Sequence, residues 1–140
     1  MAIEQLGTFV EDEGTSTSVS VTHVLSAGDN RIIVAGVILE STGDPGTVTC
    51  TYGGVSMTQI SKGSIYGTYW RDAYLFELLE ADLPSDGNNT VTASMSGSPS
   101  SITFAVGAIC YEGVDQDGYQ GADNDAVSGT ELAITVSMAA

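Results

Sequence analysis

The chain has 140 residues, of which 42% are hydrophobic, and its 18 acidic residues against 3 basic ones give a formal net charge of −15. That length fits one domain able to bury a core without staples, and the apolar content excludes a disordered tail. So acidic a chain lacks the basic footprint that nucleic acid or anionic lipid requires of a partner.

Membrane insertion is also unsupported, because no stretch approaches the roughly 18 apolar residues of a membrane span. The longest apolar run, Ile32 to Leu39, is strand-sized. The first residues, Met1-Ala2-Ile3-Glu4-Gln5, have neither a basic start nor a signal-length apolar run. The expectation is synthesis in the cytosol, with retention there or release by a route such as lysis. A module cut from a larger secreted protein would look the same.

Helical periodicity is almost absent, while Gly, Ser and Thr punctuate the chain and β-branched residues fill the gaps. Residues 1–14 are poorly patterned and are expected to form an N-terminal arm or a first edge strand, with a possible short strand at Gly7 to Val10. Residues 15–140 are expected to form the folded domain. Thr17 to His23 sets Val19, Val21 and His23 against Ser18, Ser20 and Thr22, the pattern of a half-buried strand. Ala27-Gly28-Asp29-Asn30 predicts a turn. Arg31 to Glu40 is apolar on both faces and predicts a central strand.

After a loop at Ser41 to Gly46, Val48, Cys50 and Tyr52 alternate with threonines. Gly53-Gly54 predicts a tight turn into Val55 to Ile60, closing a hairpin. Ser61 to Thr68 reads as a glycine-containing loop with Ile65 and Tyr66 at its tip. Tyr69 to Leu79 reads as a long aromatic strand in which Trp70 is expected to be buried. Val91, Ala93 and Met95 alternate in another strand, and Gly97-Ser98-Pro99 turns the chain. Ile102 to Tyr111 predicts a second central strand, Gly113 to Gly129 an acidic loop, and Leu132 to Met138 a last strand. The fold class that follows is all-β, a two-sheet antiparallel β-sandwich.

Candidate chemistry is sparse. His23 is the only histidine, and no Gly-x-Ser-x-Gly elbow or phosphate loop accompanies it. Glu77 and Glu80 could form the carboxylate pair of a glycosidase, but acidic residues are scattered along the whole chain. Cys50 and Cys110 both fall in strand-like segments and are expected to be reduced. Their spacing, with Trp70 between them, also suits an inter-sheet disulfide of immunoglobulin type, although Trp70 comes late for it. Asp115, Asp117, Asp123 and Asp125, with Gly118 and Gly121 between them, are the best metal candidate. Calcium favours several oxygens on a flexible loop, and a solvated turn is the competing reading. No other cofactor is expected. Tyr66, Tyr69, Trp70 and Tyr119 are candidates for an exposed aromatic surface for sugar stacking or protein contact.

Three segments together carry a resemblance: Tyr52-Gly53-Gly54-Val55-Ser56-Met57-Thr58, the strand from Tyr69 to Leu79 with its Asn88-Asn89-Thr90-Val91-Thr92 return, and Tyr111-Glu112-Gly113-Val114-Asp115-Gln116. In this order they resemble β-sandwich modules of phage virion proteins and large bacterial surface proteins, over roughly residues 15 to 138. The resemblance implies a jelly-roll-like domain, as an alternative to an immunoglobulin-like one, that is not an enzyme. It implies a capsid decoration or cement protein, or a spike, fibre or tail component. Such a protein sits on the virion exterior and contacts other virion proteins or copies of itself. The alternative is a carbohydrate-binding or adhesive module on an extracellular surface, with a glycan as ligand.

Overall fold

In a computed structural model the structure describes residues 2–117, 121–125 and 133–137. The strands are β1 (Glu4–Gly14), β2 (Ser18–Leu25), β3 (Ile32–Ser41), β4 (Val48–Tyr52), β5 (Val55–Ser56), β6 (Thr58–Tyr66), β7 (Trp70–Leu79), β8 (Gly87–Met95), β9 (Ile102–Glu112), β10 (Gly121–Asp125) and β11 (Ala133–Ser137). A five-stranded sheet runs β1-β9-β3-β7-β6, a four-stranded sheet runs β2-β8-β4-β5, and β10 and β11 pair as a ribbon. Every pairing is antiparallel. The pairs are nested: β1 with β9, β2 with β8, β3 with β7, and β4 with β5 at the closed end. A long hairpin rolled onto itself gives this nesting, which is the topology of a jelly roll.

Alternation builds the core. Ile33, Ala35, Val37 and Leu39 of β3 and Phe104, Val106, Ala108 and Cys110 of β9 point inward from the five-stranded sheet. Val48, Cys50 and Tyr52 of β4, with Val91, Ala93 and Met95 of β8, meet them from the other sheet. The opposite face of β2 and β8 is hydroxylated, and Ser20 Oγ lies 2.8 Å from Thr92 Oγ1 while Ser18 Oγ lies 3.1 Å from Ser94 Oγ. Threonine and serine there satisfy a pleated, wet surface.

Four segments depart from the sequence expectations. Val55 to Ile60 is not one strand: β5 ends at Ser56 in the four-stranded sheet, and β6 begins at Thr58 in the other. Ser61 to Tyr66 is strand, not loop. A register shift between Gln59 and Ser61 bends β6, and its inward positions are Lys62 and Ser64, paired with the inward Tyr74 and Asp72, so polar residues hide the apolar alternation. Within the expected acidic loop, Gly121–Asp125 forms β10, a strand with little intrinsic β-propensity that is held by pairing to β11. Trp70 is only half-buried, because it caps the end of β7. At the N-terminus, Glu4–Gly14 forms β1 at the edge of the five-stranded sheet, with a register shift between Leu6 and Val10. Gly53 and Gly54 have φ of 56° and 84°, as a two-residue hairpin turn requires.

One buried cation ties the loops at one end of the sandwich. Arg31 donates Nε and Nη2 to the Glu80 carboxylate at 2.9 and 2.7 Å, and Nη1 to Ser26 O and Asp86 Oδ1 at 2.7 and 2.6 Å. Its backbone N–H also donates to Glu80 Oε2, at 2.8 Å. Gln116 closes the set: its Nε2 donates to Arg31 O and Val114 O, and its Oε1 accepts from the Glu80 N–H. The turn before β3, the short 3-10 turn at Glu80–Asp82 and the segment after β9 thus share one polar knot. The guanidinium holds the Glu80 carboxyl below the usual carboxylate range. Lysine has the charge but not the fork, so Arg31→Lys should cost about 1–3 kcal/mol. Urea unfolding should show this as a lower midpoint with an unchanged slope. A loss of only a few tenths would mean that the fork contributes little.

Candidate functional site

The outward face of the five-stranded sheet is open between β1 and β7. Two adjacent rungs cross it in register. One runs Glu11, Gly107, Gly36, Leu75 and the next runs Glu13, Ala105, Ile38, Ala73, from β1 across β9 and β3 to β7. The two glycines in the middle of the first rung, and Ala105 and Ala73 on either side of Ile38 in the second, leave a trough of about 560 Å³. Its walls are Phe9 and Ile38, which are 50% and 64% exposed, and Leu75. Phe9 leans over Gly107 so closely that a Cβ there would lie 2.6 Å from the ring. At Gly36 the nearest atom to such a Cβ is Leu75 Cδ2, at 3.9 Å, so the trough is open there. Glu11, Asp12 and Glu13 form its rim on β1 and are all exposed.

No basic residue of the chain answers that rim. Arg31 is bound by Glu80 and Asp86, Lys62 reaches Asp72 Oδ2 at 3.3 Å, and Arg71 pairs with Glu40. These are all the lysines and arginines the chain has.

A second exposed feature lies at the β6–β7 turn. Tyr66 and Trp70 stack edge to face with ring centroids 4.7 Å apart, Tyr69 stands beside them, and the Arg71 guanidinium lies 5.9 Å from the Tyr69 ring centre. Tyr66 is 61% and Tyr69 39% exposed. Three of the four aromatics singled out in the sequence therefore come together, and the fourth, Tyr119, lies outside the described residues.

The remaining candidates are dispersed or sealed. His23 is fully buried, with Nδ1 2.9 Å from the Tyr52 hydroxyl and no partner at Nε2 among the described residues. Burial pushes its pKa below the ordinary value and pushes the Tyr52 hydroxyl up to about 12. Asp72 is also fully buried, and its Oδ2 accepts from the Tyr74 hydroxyl at 2.8 Å as well as meeting Lys62. Burial, and next the Asp72 carboxylate, raise the Tyr74 pKa.

Glu77 is buried in β7, while Glu80 is held by Arg31. Asp115 and Asp117 are exposed, and the Asp117 N–H donates to Asp115 Oδ1 at 3.1 Å in a local turn. Asp123 and Asp125 belong by backbone to β10, and their side chains lie outside the described residues. Among the described residues no group of three or more His, Cys, Asp or Glu could hold a metal ion. Cys50 and Cys110 are both free and buried, one in each sheet.

The sequence gives Gly36 and Gly107 only as residues of strands apolar on both faces. A glycine in the interior of each central strand was the available signal for the trough, since it marks a close approach or an unfilled surface. No family model, no curated protein and no solved structure matches the chain.

The thiols should be inert in the native state. Burial raises Cys50 to about 12 and Cys110 to about 11, so neither supplies a useful thiolate near neutral pH. Alkylation of the folded protein should leave both unmodified, and alkylation in denaturant without reductant should label both. An unlabelled pair in denaturant would reveal a disulfide.

His23 should make stability fall in mild acid. Its folded pKa lies below 6.5, so in that window the unfolded chain binds the extra proton. Its contribution is complete above the unfolded pKa and is lost as pH falls below it, by up to about 1.4 kcal/mol per pH unit until the folded pKa is reached. His23→Gln does not titrate, so the wild-type advantage over it should shrink as the pH drops below about 6.5. Parallel pH profiles would show that folding does not shift this histidine.

Proposed function

We propose that the chain is a non-enzymatic structural protein on the exterior of a virus particle, a capsid decoration or cement protein or a spike, fibre or tail component. The observation that carries this reading is the open apolar trough on the five-stranded sheet, flanked by carboxylates that no Lys or Arg of the chain answers. An exposed apolar surface with a polar rim favours contact with another protein. The net charge of −15 supports a position away from packaged nucleic acid. It also opposes self-association in free solution, and contact with a less acidic lattice would relieve that repulsion. Jelly rolls serve capsids and lectins alike, so the topology admits both readings.

One observation favours a second reading, a carbohydrate-binding or adhesive module. Exposed Tyr66, edge to face with the half-buried Trp70 and with exposed Tyr69 beside it, presents ring faces and edges of the kind on which sugars stack.

Mass spectrometry of purified particles, with antibody labelling under the electron microscope, tests the first reading. The protein should be found at many copies per particle and labelled on the outside. Its absence from particles, or its recovery only within a larger secreted cell-surface chain, would overturn the reading. A glycan array then tests the second reading, which predicts binding that Tyr66→Ala and Trp70→Ala abolish.

A further inference from the structure

The trough has a direction: carboxylates at its β1 end, bare glycine in the middle and apolar walls. We propose that it is the docking site for an extended segment of a neighbouring protein that carries an apolar side chain close to a lysine or arginine. The apolar group seats over Gly36, beside the Phe9 ring that covers Gly107, and the cation reaches Glu11 and Glu13. This occupant rests on the assembly reading above and specifies the chemistry of the partner.

Charge selects the occupant. Arg31, Lys62 and Arg71 are each engaged with carboxylates elsewhere, so the rim of Glu11, Asp12 and Glu13 can be answered by a basic side chain only from outside. A second copy of this chain is a poor candidate, since it brings the same acidic rim and a net charge of −15. Shape selects the same class. From β1 to β7 the trough crosses three inter-strand steps, about 14 Å, the reach of about four extended residues. Its depth comes from missing side chains. Gly107 is needed for the Phe9 ring, but among the described residues only Leu75 Cδ2, at 3.9 Å, touches the place a Gly36 Cβ would take. Glycine is a poor choice in the interior of a strand unless the space above it is used.

The probe is a short acetylated and amidated peptide with one leucine next to a pair of lysines, titrated into isotope-labelled protein. Amide shifts should concentrate at Gly36, Ile38, Ala105, Gly107, Glu11 and Glu13. Gly36→Val fills the trough with a residue suited to a strand, and its Cβ meets only Leu75 Cδ2, at 3.9 Å, among the described residues, so it should fold as well as the wild type while binding the peptide about tenfold more weakly. Replacing Glu11 and Glu13 together by glutamine should weaken binding and flatten its salt dependence. Serine in place of the peptide leucine should remove binding.

Shifts centred elsewhere, unchanged affinity for Gly36→Val, or equal binding of a peptide with glutamates in place of the lysines would overturn the proposal. Should Gly36→Val fail to fold, the glutamine pair and the peptide series decide alone. Binding to particles stripped of the protein is scored separately. A Gly36→Val protein that binds them as the wild type does removes this docking site and leaves the particle reading intact. A trough that takes the peptide in a protein absent from particles does the reverse.

Discussion

The scarcity of cations constrains everything else in this molecule. With three basic residues against 18 acidic ones, each ion pair the fold uses removes a counter-charge that no other site can share. The most buried of them, Arg31, is placed where four segments of chain meet, and its fork holds Glu80, Asp86 and the Ser26 carbonyl at once. A guanidinium suits that place because its donors are fixed in a plane and stay charged. Lys62 neutralises a fully buried carboxylate, and Arg71 is matched on the neighbouring strand by Glu40. The same economy leaves no lysine or arginine of the chain to pair with the acids of β1. The ion pairing that holds the ends of the sandwich therefore also determines the electrostatic character of the trough on the five-stranded sheet.

Much of the architecture was legible because alternation is a strong signal when one face is buried. β2, β4 and β8 alternate cleanly, and β3 and β9 read as central strands because both of their faces are apolar. What was not legible has physical causes. β6 was hidden because its inward positions carry Lys62 and Ser64, and Gly63 lies between them, so the local pattern reads as a loop. The passage of the chain between sheets at Met57 leaves no mark in an alternation that continues through it. β10 was missed because aspartate and asparagine disfavour strands, and its pairing partner lies beyond the segment that carries the local pattern.

The candidate site was less legible than the fold, for a related reason. The aromatic group at the β6–β7 turn came from residue type alone, although the expectation for Trp70 was burial and the structure leaves it only half-buried against Tyr66. The trough depends on which strands become neighbours. Gly36 and Gly107 lie in strands far apart in sequence and face each other only because the nested pairing brings β3 beside β9. Their value as a surface is a property of the pair and of the acidic strand that the same pairing places next to them.

The two outer faces of the sandwich differ in a way that gives the molecule an orientation. On the four-stranded sheet, hydroxyls on β2 and β8 meet across the strands and satisfy one another, so that face can rest against water at little cost. On the five-stranded sheet the equivalent rungs carry Ile38, Leu75, Ala105 and Phe9, which gain from being covered. A module with one hydrated face and one apolar face has a preferred side toward a partner, whatever the partner is. The acids along β1 then act mainly on the choice among partners. They add little to apolar burial, but they penalise any acidic surface that approaches the same face, including that of another copy.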